Sequence, residues 1–219
     1  MATDWVRRLE QEGRGLVETL DEHPEARRLF DGTVGRERYA RYLVRTYHCL
    51  RWSMPLRVGA GERLKRLGRP PQLAELLLRR ALEESGHEHW LLADLRHLGW
   101  PEERVKAAEP GPAVEAFTGW NFFTARAGEP TALFGTEYVQ AYVSMARVGR
   151  AVEQLIEVGA VPDIHKAVTY LRHQGDTAGE HLAELSRVLR MVTGREDRMA
   201  VLLSARMTRV LYPGFFDGS

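Results

Sequence analysis

The sequence predicts an all-α fold: a bundle of about seven or more helices in a single domain spanning residues 1–219. Apolar residues recur at intervals of three and four almost throughout, and no segment alternates with the period of two that a half-buried strand shows. The links between segments are short, which favours antiparallel packing of neighbouring helices. No repeat, low-complexity tract or interdomain linker indicates a second domain.

Eight helical segments are predicted along the chain, with glycine and proline at several of their ends. Pro24 occupies an early helical position, the stretch 68–71 ends the third segment, and Gly99 with Pro101 closes the fourth. The predicted segments are 4–20, 24–30, 35–67, 72–98, 112–127, 130–158, 163–192 and 195–211.

Composition narrows the functional classes. The 31 basic and 30 acidic residues give a net charge of +1 and interleave along the chain, so no basic face is offered to nucleic acid. No apolar run reaches the roughly 20 residues that a membrane span needs, and the first residues lack a signal-peptide core. Cys49 is the only cysteine, which excludes an internal disulfide and fits a cytoplasmic protein.

The first chemically informative group is the Glu84-x-x-His87 motif. On a helix, residues three, four and seven apart share a face, so Glu84, His87 and Asp94 form one stripe. Glutamate and histidine at this spacing reach one ion in di-iron bundles, and such ligands suit iron or manganese. The alternative is that Glu84 bonds a buried arginine and His87 makes a polar contact. Asp94 is expected to fix a neighbouring helix rather than to bind metal.

The second group comprises His173, Asp176, Glu180 and His181, in a predicted long helix. A regular helix of about 100° per residue separates Asp176 from His181 by about 140°. It leaves Glu180 within about 20° of His173. Either Glu180 is the second ligand, or a one-residue π-bulge between Gly175 and Gly179 turns His181 inward. We expect the bulge; the alternative is a solvated polar face.

Other residues are candidates for the same site. His48 is the donor available on a third ligand helix, although a lone histidine is more often structural. Tyr47, Tyr138 and Tyr142 are expected to line a substrate pocket, although aromatic residues at helical spacing are more often plain core. The default interpretation of Cys49 is a small buried hydrophobe.

Several blocks of the sequence resemble the haem-oxygenase-like superfamily. An opening block is similar to thiaminase II and pyrroloquinoline-quinone synthase, and a central block is more similar to the iron-containing redox enzymes of the superfamily. The opening residues are His23-Pro24, Leu29-Phe30-Asp31-Gly32-Thr33, Arg38-Tyr39 and Tyr42-Leu43. The central residues are Glu83-Glu84-x-Gly86-His87-Glu88, Asp94-Leu95 and Leu98-Gly99, with Tyr47-His48 and the His173 segment fitting the same group.

The resemblance implies a helical bundle whose site, often di-iron, activates O2 on a small carboxylate or amine-bearing metabolite. It carries over Glu84, His87 and His173 as ligands. Family members usually place aspartate and histidine four and seven residues after the equivalent of His173, where this chain has Thr177 and Glu180.

Two more positions depart from the family pattern. A glutamate ligand usually found near Ala141 is replaced by Gln140-Ala141. The early ligand helix, which often carries a glutamate, offers His48 nearby.

The predicted function is a non-haem iron oxidase or oxygenase acting with O2 on a small molecule such as an amino acid or carboxylic acid. One or two Fe(2+) ions are expected, and the sequence is compatible with a homodimer. The predicted ligands are Glu84, His87, His173, Asp176 and His181, with His48 and Glu180 in reserve. The alternatives are a metal-free enzyme of the thiaminase II or quinone-synthase type and a non-catalytic relative that binds a ligand or a protein. A haem oxygenase fits less well, because no early histidine is clearly placed as axial ligand.

Overall fold

The structure, a computed structural model, describes residues 2–217, with side chains from residue 5 onward. Its described part is all-α and contains no strand, which confirms the predicted fold class. The α-helices are α1 (Ala2–Glu22), α2 (Pro24–Phe30), α3 (Arg36–Leu50), α4 (Ser53–Arg66), α5 (Pro71–Glu83), α6 (His87–His97), α7 (Glu102–Ala107), α8 (Pro112–Arg126), α9 (Leu133–Val143), α10 (Gly149–Val158), α11 (Thr169–Leu189) and α12 (Arg195–Leu211). Three 3-10 segments, Pro130–Ala132, Ile164–Lys166 and Tyr212–Phe215, and one π-helical segment, Ser144–Val148, join or extend them.

Two helices predicted as continuous are each divided in two. The segment 35–67 breaks at Arg51 and Trp52, between α3 and α4. Pro55 lies in the first turn of α4, where its missing N–H removes no helical hydrogen bond, and it marks this new helix start. The segment 72–98 breaks after α5, where Gly86 adopts a left-handed conformation with φ 89°.

One core of buried apolar side chains runs through the bundle. Helix α9 packs against α1, α11 and α12, while α4 lies along α5 and α6 contacts α3 and α11. Within the described range, none of the helices combines the length and apolar character needed to cross a membrane. The packing leaves a cavity of about 910 Å³ that is partly open to the surface, and its walls come mainly from α3, α4, α5, α9, α11 and the segment after α12.

Candidate active site

The Glu84-x-x-His87 motif forms a tight turn between two helices instead of one helical stripe. Helix α5 ends at Glu83, Glu84 caps it, and His87 begins α6. The backbone N–H of His87 donates to the carbonyl oxygen of Glu84 at 3.1 Å. The Glu84 Oε1 and His87 Nδ1 atoms lie 3.3 Å apart, so the two side chains contact each other across the turn.

A largely buried arginine, Arg57 of α4, joins two carboxylates at the cavity wall. Its Nη1 donates to Glu84 Oε2 at 2.8 Å, and its Nε donates to Glu137 Oε1 at 2.6 Å. The side chains of Arg57 and Glu84 are each 14% exposed and that of Glu137 is 5% exposed. This pairing matches the alternative considered for Glu84, a bond to a buried arginine.

The environment keeps this ion-pair cluster charged. Burial alone would raise the pKa of Glu84, but the Arg57 charge and the His87 hydrogen bond lower it to about 2. Burial opposes the charge of Arg57, yet Glu137 and Glu84 hold the pKa of the guanidinium above its usual value. The second carboxylate oxygen of Glu137, Oε2, is buried and receives no hydrogen bond within the described structure.

His87 and His173 meet across the interface between α6 and α11. Their ring centroids are 4.7 Å apart, and Trp90 stacks on His87 at 4.3 Å while its ring lies 4.7 Å from that of His173. Burial, followed by the neighbouring His87, lowers the pKa of His173. Glu84, His87 and His173 therefore face one cavity.

Asp94 sets where α11 begins relative to α6. Its two carboxylate oxygens accept hydrogen bonds from the backbone N–H groups of Thr169 and Tyr170 at 3.2 and 3.0 Å. The residue is fully buried and does not line the cavity. The expectation that Asp94 fixes a neighbouring helix is confirmed, and the helix that it fixes carries His173.

The predicted π-bulge in α11 is wrong. Helix α11 is α-helical from Thr169 to Leu189, and the π-helical segment lies instead at Ser144–Val148. His181 nevertheless lines the cavity and is partly buried, whereas Glu180 is exposed at its edge and Asp176 is exposed outside it. Burial, followed by the charge of Arg80, lowers the pKa of His181.

The rotation of α11 explains why His181 faces the cavity without a bulge. Gln174, Thr177 and Ala178 also line the cavity, so the inward face is centred between His173 and His181. His173 therefore lies at one edge of that face instead of at its middle. The expectation that a regular helix turns His181 away was wrong because it placed His173 at the centre.

The cavity-lining residues differ from those predicted for a substrate pocket. Tyr47, Tyr138 and Tyr142 lie outside the cavity lining; Tyr47 and Tyr138 are core, and Tyr142 packs on Gly13 of α1. His48 is also outside it, with Nε2 2.9 Å from the carbonyl oxygen of Val105. The tyrosines that line the cavity are Tyr42, Tyr170 and Tyr212.

Sequence reasoning missed Arg57 and Glu137. Glu137 had a usable signal, because it is the only charged residue between Pro130 and Ala146 in an apolar helix. A lone charge in such a stretch is costly to bury and needs a partner. Arg57, 80 positions earlier, carries no comparable mark.

The donors at this site do not form a metal-binding group as they stand. Among residues 2–217, no three or more His, Cys, Asp and Glu side chains are arranged so that they could hold an ion. Glu84 is engaged by Arg57, and Asp176 lies outside the cavity lining. The residues present therefore do not fit the expected Fe(2+) without rearrangement.

No family model and no curated protein matches the sequence. The structure is similar to the crystal structure of a domain of unknown function with a haem-oxygenase-like fold from Shewanella denitrificans, with TM-score 0.83, 21% identity, and coverage of 97% of this chain and 90% of that one. The chain has the haem-oxygenase-like fold. A TenA homologue from Pseudomonas syringae pv. tomato is also similar, with TM-score 0.72, 14% identity, and coverage of 96% and 93%. The expected haem-oxygenase-like bundle is confirmed by these likenesses, which concern the fold.

Proposed function

We propose that the cavity is the active site of a metal-independent enzyme that acts on a small amine-bearing metabolite by acid–base chemistry. The observation that carries this proposal is the position of Arg57, whose guanidinium pairs with both Glu84 and Glu137. A guanidinium keeps its charge at any ordinary pH. A divalent ion on Glu84 would lie beside this fixed positive charge, and the repulsion would oppose binding.

The net charge of Arg57, Glu84 and Glu137 together suits the binding of one singly charged cation. Two carboxylates and one guanidinium leave one negative charge in a largely buried position. A buried charge is costly unless it is paired, and Glu137 Oε2 still lacks a hydrogen-bond donor. A substrate ammonium group supplies one positive charge together with N–H donors, so it satisfies both requirements.

His87 is the residue that we assign as general base. Glu84 stays ionised and accepts a hydrogen bond from His87 Nδ1, which fixes the ring and leaves Nε2 free to take a proton. A carboxylate that orients a histidine in this way also stabilises the imidazolium formed by proton transfer. His87 Nε2 removes a proton from the bound ammonium group, which leaves a neutral amine with its lone pair and an imidazolium held by Glu84.

His173 and His181 are assigned to proton movement around the substrate. The lowered pKa of each ring keeps it neutral near neutral pH, so each ring has one nitrogen that accepts a hydrogen bond and one that donates. Their positions on one face of α11 place them along the same wall of the cavity. The aromatic rings of Trp90 and His87 pack against His173 and hold its orientation.

The proposal is tested by metal binding in solution. We would titrate the wild type, Arg57→Ala and His87→Ala with ferrous iron without air and measure bound iron after dialysis. The wild type is expected to retain far less than one iron per chain. Arg57→Ala is expected to retain more, because it frees two carboxylates. Arg66→Ala, an exposed change on the same helix, is the matched control and should behave as the wild type.

One result of the titration would contradict the proposal. If the wild type binds one iron per chain and His87→Ala loses it, the metal-independent proposal is wrong. Circular dichroism of each variant separates loss of a site from loss of the fold.

A non-haem iron oxidase or oxygenase is the second candidate, favoured by the convergence of Glu84, His87 and His173 on one cavity. Two histidines and one carboxylate are the ligand set of many ferrous oxygenases, where iron supplies activation of O2 when it is bound. For this chain, Arg57 would first have to release Glu84. The same titration decides between the two candidates.

A further inference from the structure

The cavity has an aromatic end in addition to its polar end. We define the polar end by Arg57, Glu84, His87, Glu137, His173 and His181, and the aromatic end by Phe30, Tyr42, Phe117, Tyr212, Phe215 and Phe216. The rings of the aromatic end contact one another: Tyr42 stacks on Phe216 at 4.8 Å, and Tyr212 lies 4.9 Å from Phe215. Phe117 meets Phe215 edge to face at 5.4 Å.

The segment after α12 closes the aromatic end. Tyr212–Phe215 forms a 3-10 turn that brings its rings against α3 and α8. The Arg45 guanidinium bonds to the carbonyl oxygens of Phe215 and Asp217, and His23 Nε2 lies 3.2 Å from Asp217 Oδ1. The closing segment is therefore tied to the body of the bundle, and the rings form a fixed wall.

Neutral side chains connect the two ends. Burial raises the pKa of Tyr170 well above its usual value, so the phenol remains uncharged, and the residue lines the cavity. Cys49 also lines the cavity, and burial raises the pKa of its thiol to about 12, so it remains uncharged. A ligand that extends from the polar end toward the aromatic end would pass these two residues without meeting a charge on either of them.

The cavity is too large to be filled by a ligand that contacts the polar end alone. The cavity of about 910 Å³ falls near the top of the range of roughly 300–1,000 Å³ for sites that enclose drug-sized molecules. An ammonium group with one or two carbons would occupy a small part of it. Apolar atoms make up the larger part of the cavity wall, and the charged residues Arg79, Arg80, Glu83 and Glu184, which also line it, pair with one another.

We infer that the ligand of this cavity is amphipathic, with an amine head at the polar end and an apolar tail of several carbons or one ring at the aromatic end. The inference names the substrate class of the proposed active site and rests on that proposal. Each methylene moved from water into an apolar wall should strengthen binding by about fourfold.

The test is a titration series with n-alkylamines from butylamine to octylamine, measured by calorimetry on the full chain at neutral pH. Alkanols and alkyl carboxylates of the same lengths are the matched series for the head group. We expect amine affinity to rise about fourfold per methylene and to exceed that of the alkanol of equal length at every step.

The outcomes separate this inference from the proposed function. Amines that bind with no dependence on chain length would overturn the apolar tail and leave the amine head of the proposed function standing. Alkanols or carboxylates that bind as tightly as amines, with the same length dependence, would overturn the amine head and the proposed function together. Absence of binding across all three series would overturn the inference.

A variant pair locates the tail. Phe216→Ala should weaken the binding of octylamine by about tenfold and the binding of butylamine by less than about twofold, because only the longer chain reaches that ring. Phe216→Leu, a smaller change that preserves packing, should act in the same direction with less effect. Phe123→Ala is the control, since Phe123 is 55% exposed and does not line the cavity. Equal weakening of both amines by Phe216→Leu would overturn the assignment.

Discussion

At the Glu84-x-x-His87 motif the chain breaks its helix, whereas from His173 to His181 the helix runs without interruption. The sequence favoured the reverse, a continuous first segment and a bulged second one. Both segments contain glycine close to their histidines, but the glycines serve different purposes. Gly86 adopts φ 89°, a conformation that other residues rarely take. Gly175 stays helical and allows another helix to approach.

The approach at Gly175 is close. A Cβ atom there would lie 3.0 Å from the backbone N of Gly149, the first residue of α10. Gly149 directly follows the π-helical segment Ser144–Val148. The irregularity expected within α11 is thus found on the helix packed against it, and the glycines of α11 do not mark a bulge. A glycine in a helical sequence indicates either a local break or a close contact, and only packing distinguishes the two.

The largest effect is expected for Arg57→Ala, which removes the arginine partner of Glu84 at the broken helix and of Glu137 in α9. Removing one partner of a buried ion pair typically costs about 3–5 kcal/mol of unfolding free energy, and we expect a loss of that order. Denaturant unfolding at neutral pH measures it, with Arg66→Ala as the exposed control on α4. A loss as small as that of Arg66→Ala would mean that Glu84 and Glu137 do not depend on Arg57.

The same variant has a defined pH dependence. The pKa of Glu84 is lowered to about 2 in the folded protein, so its contribution is complete above the unfolded value of about 4.3 and disappears as the pH falls toward 2. The difference in stability between wild type and Arg57→Ala should therefore narrow in acid. A difference that is constant with pH would contradict an ionised Glu84.

Gly86→Ala is expected to have the next largest effect, about 1–2 kcal/mol, because alanine must adopt the left-handed conformation. Gly68→Ala is a matched control, since Gly68 also has positive φ and a Cβ there would meet nothing within 4 Å. Both variants should lose similar stability, but only Gly86→Ala should weaken binding of alkylamines, because it displaces His87 from Glu84. If the two variants bind alkylamines equally well, the turn at Gly86 is not needed for the binding site.

A smaller effect is expected for the glycines of α11. Gly175→Ala should destabilise the fold by about 1 kcal/mol, because crowding of the α10 backbone outweighs the gain in helix propensity. Gly179→Ala should stabilise it by up to about 1 kcal/mol, since no atom lies within 4 Å of the added Cβ. Thermal unfolding of the pair measures the difference. Stabilisation by both changes would show that α10 does not constrain Gly175.

Local sequence patterns were sufficient for the fold class and for one side of the site, but they did not predict the helix breaks at Arg51–Trp52 and at Gly86. The 3.6-residue periodicity predicted the all-α fold, and three-residue spacing predicted that Glu84 and His87 would lie together, although a turn and not one helical face brings them together. Asp94 could be assigned to a neighbouring helix because a buried carboxylate needs donors. These inferences depend on residues close together in sequence or on a general cost of burial.

The remaining parts depend on contacts that spacing does not encode. Arg57 reaches Glu84 across 27 positions and Glu137 across 80, and nothing local indicates either partner. Tyr142 was expected in the pocket but packs on α1, because the rotation of α9 is set by its neighbours rather than by its own pattern. The phase of α11 likewise depends on how it packs against α6, α9 and the π-helical segment.

The smallest effect on stability is expected from protonation of the histidines of α11. The pKa values of His173 and His181 are lowered in the folded protein, so the unfolded chain binds protons more readily. Stability should therefore decline as the pH falls through about 6.5, the ordinary value for histidine. His181→Asn should reduce this decline in denaturant melts, whereas His165→Asn, at an exposed position, should leave it unchanged. If the decline is unaltered in His181→Asn, protonation of His181 does not contribute to it.

The most direct test of a metal-independent site is a crystal structure of the protein grown anaerobically with excess ferrous iron, with diffraction data collected on both sides of the iron absorption edge. We expect no anomalous peak among Glu84, His87 and His173, and an Arg57 guanidinium that still bridges Glu84 and Glu137. An anomalous peak within bonding distance of those three side chains, with Arg57 turned away from Glu84, would contradict it.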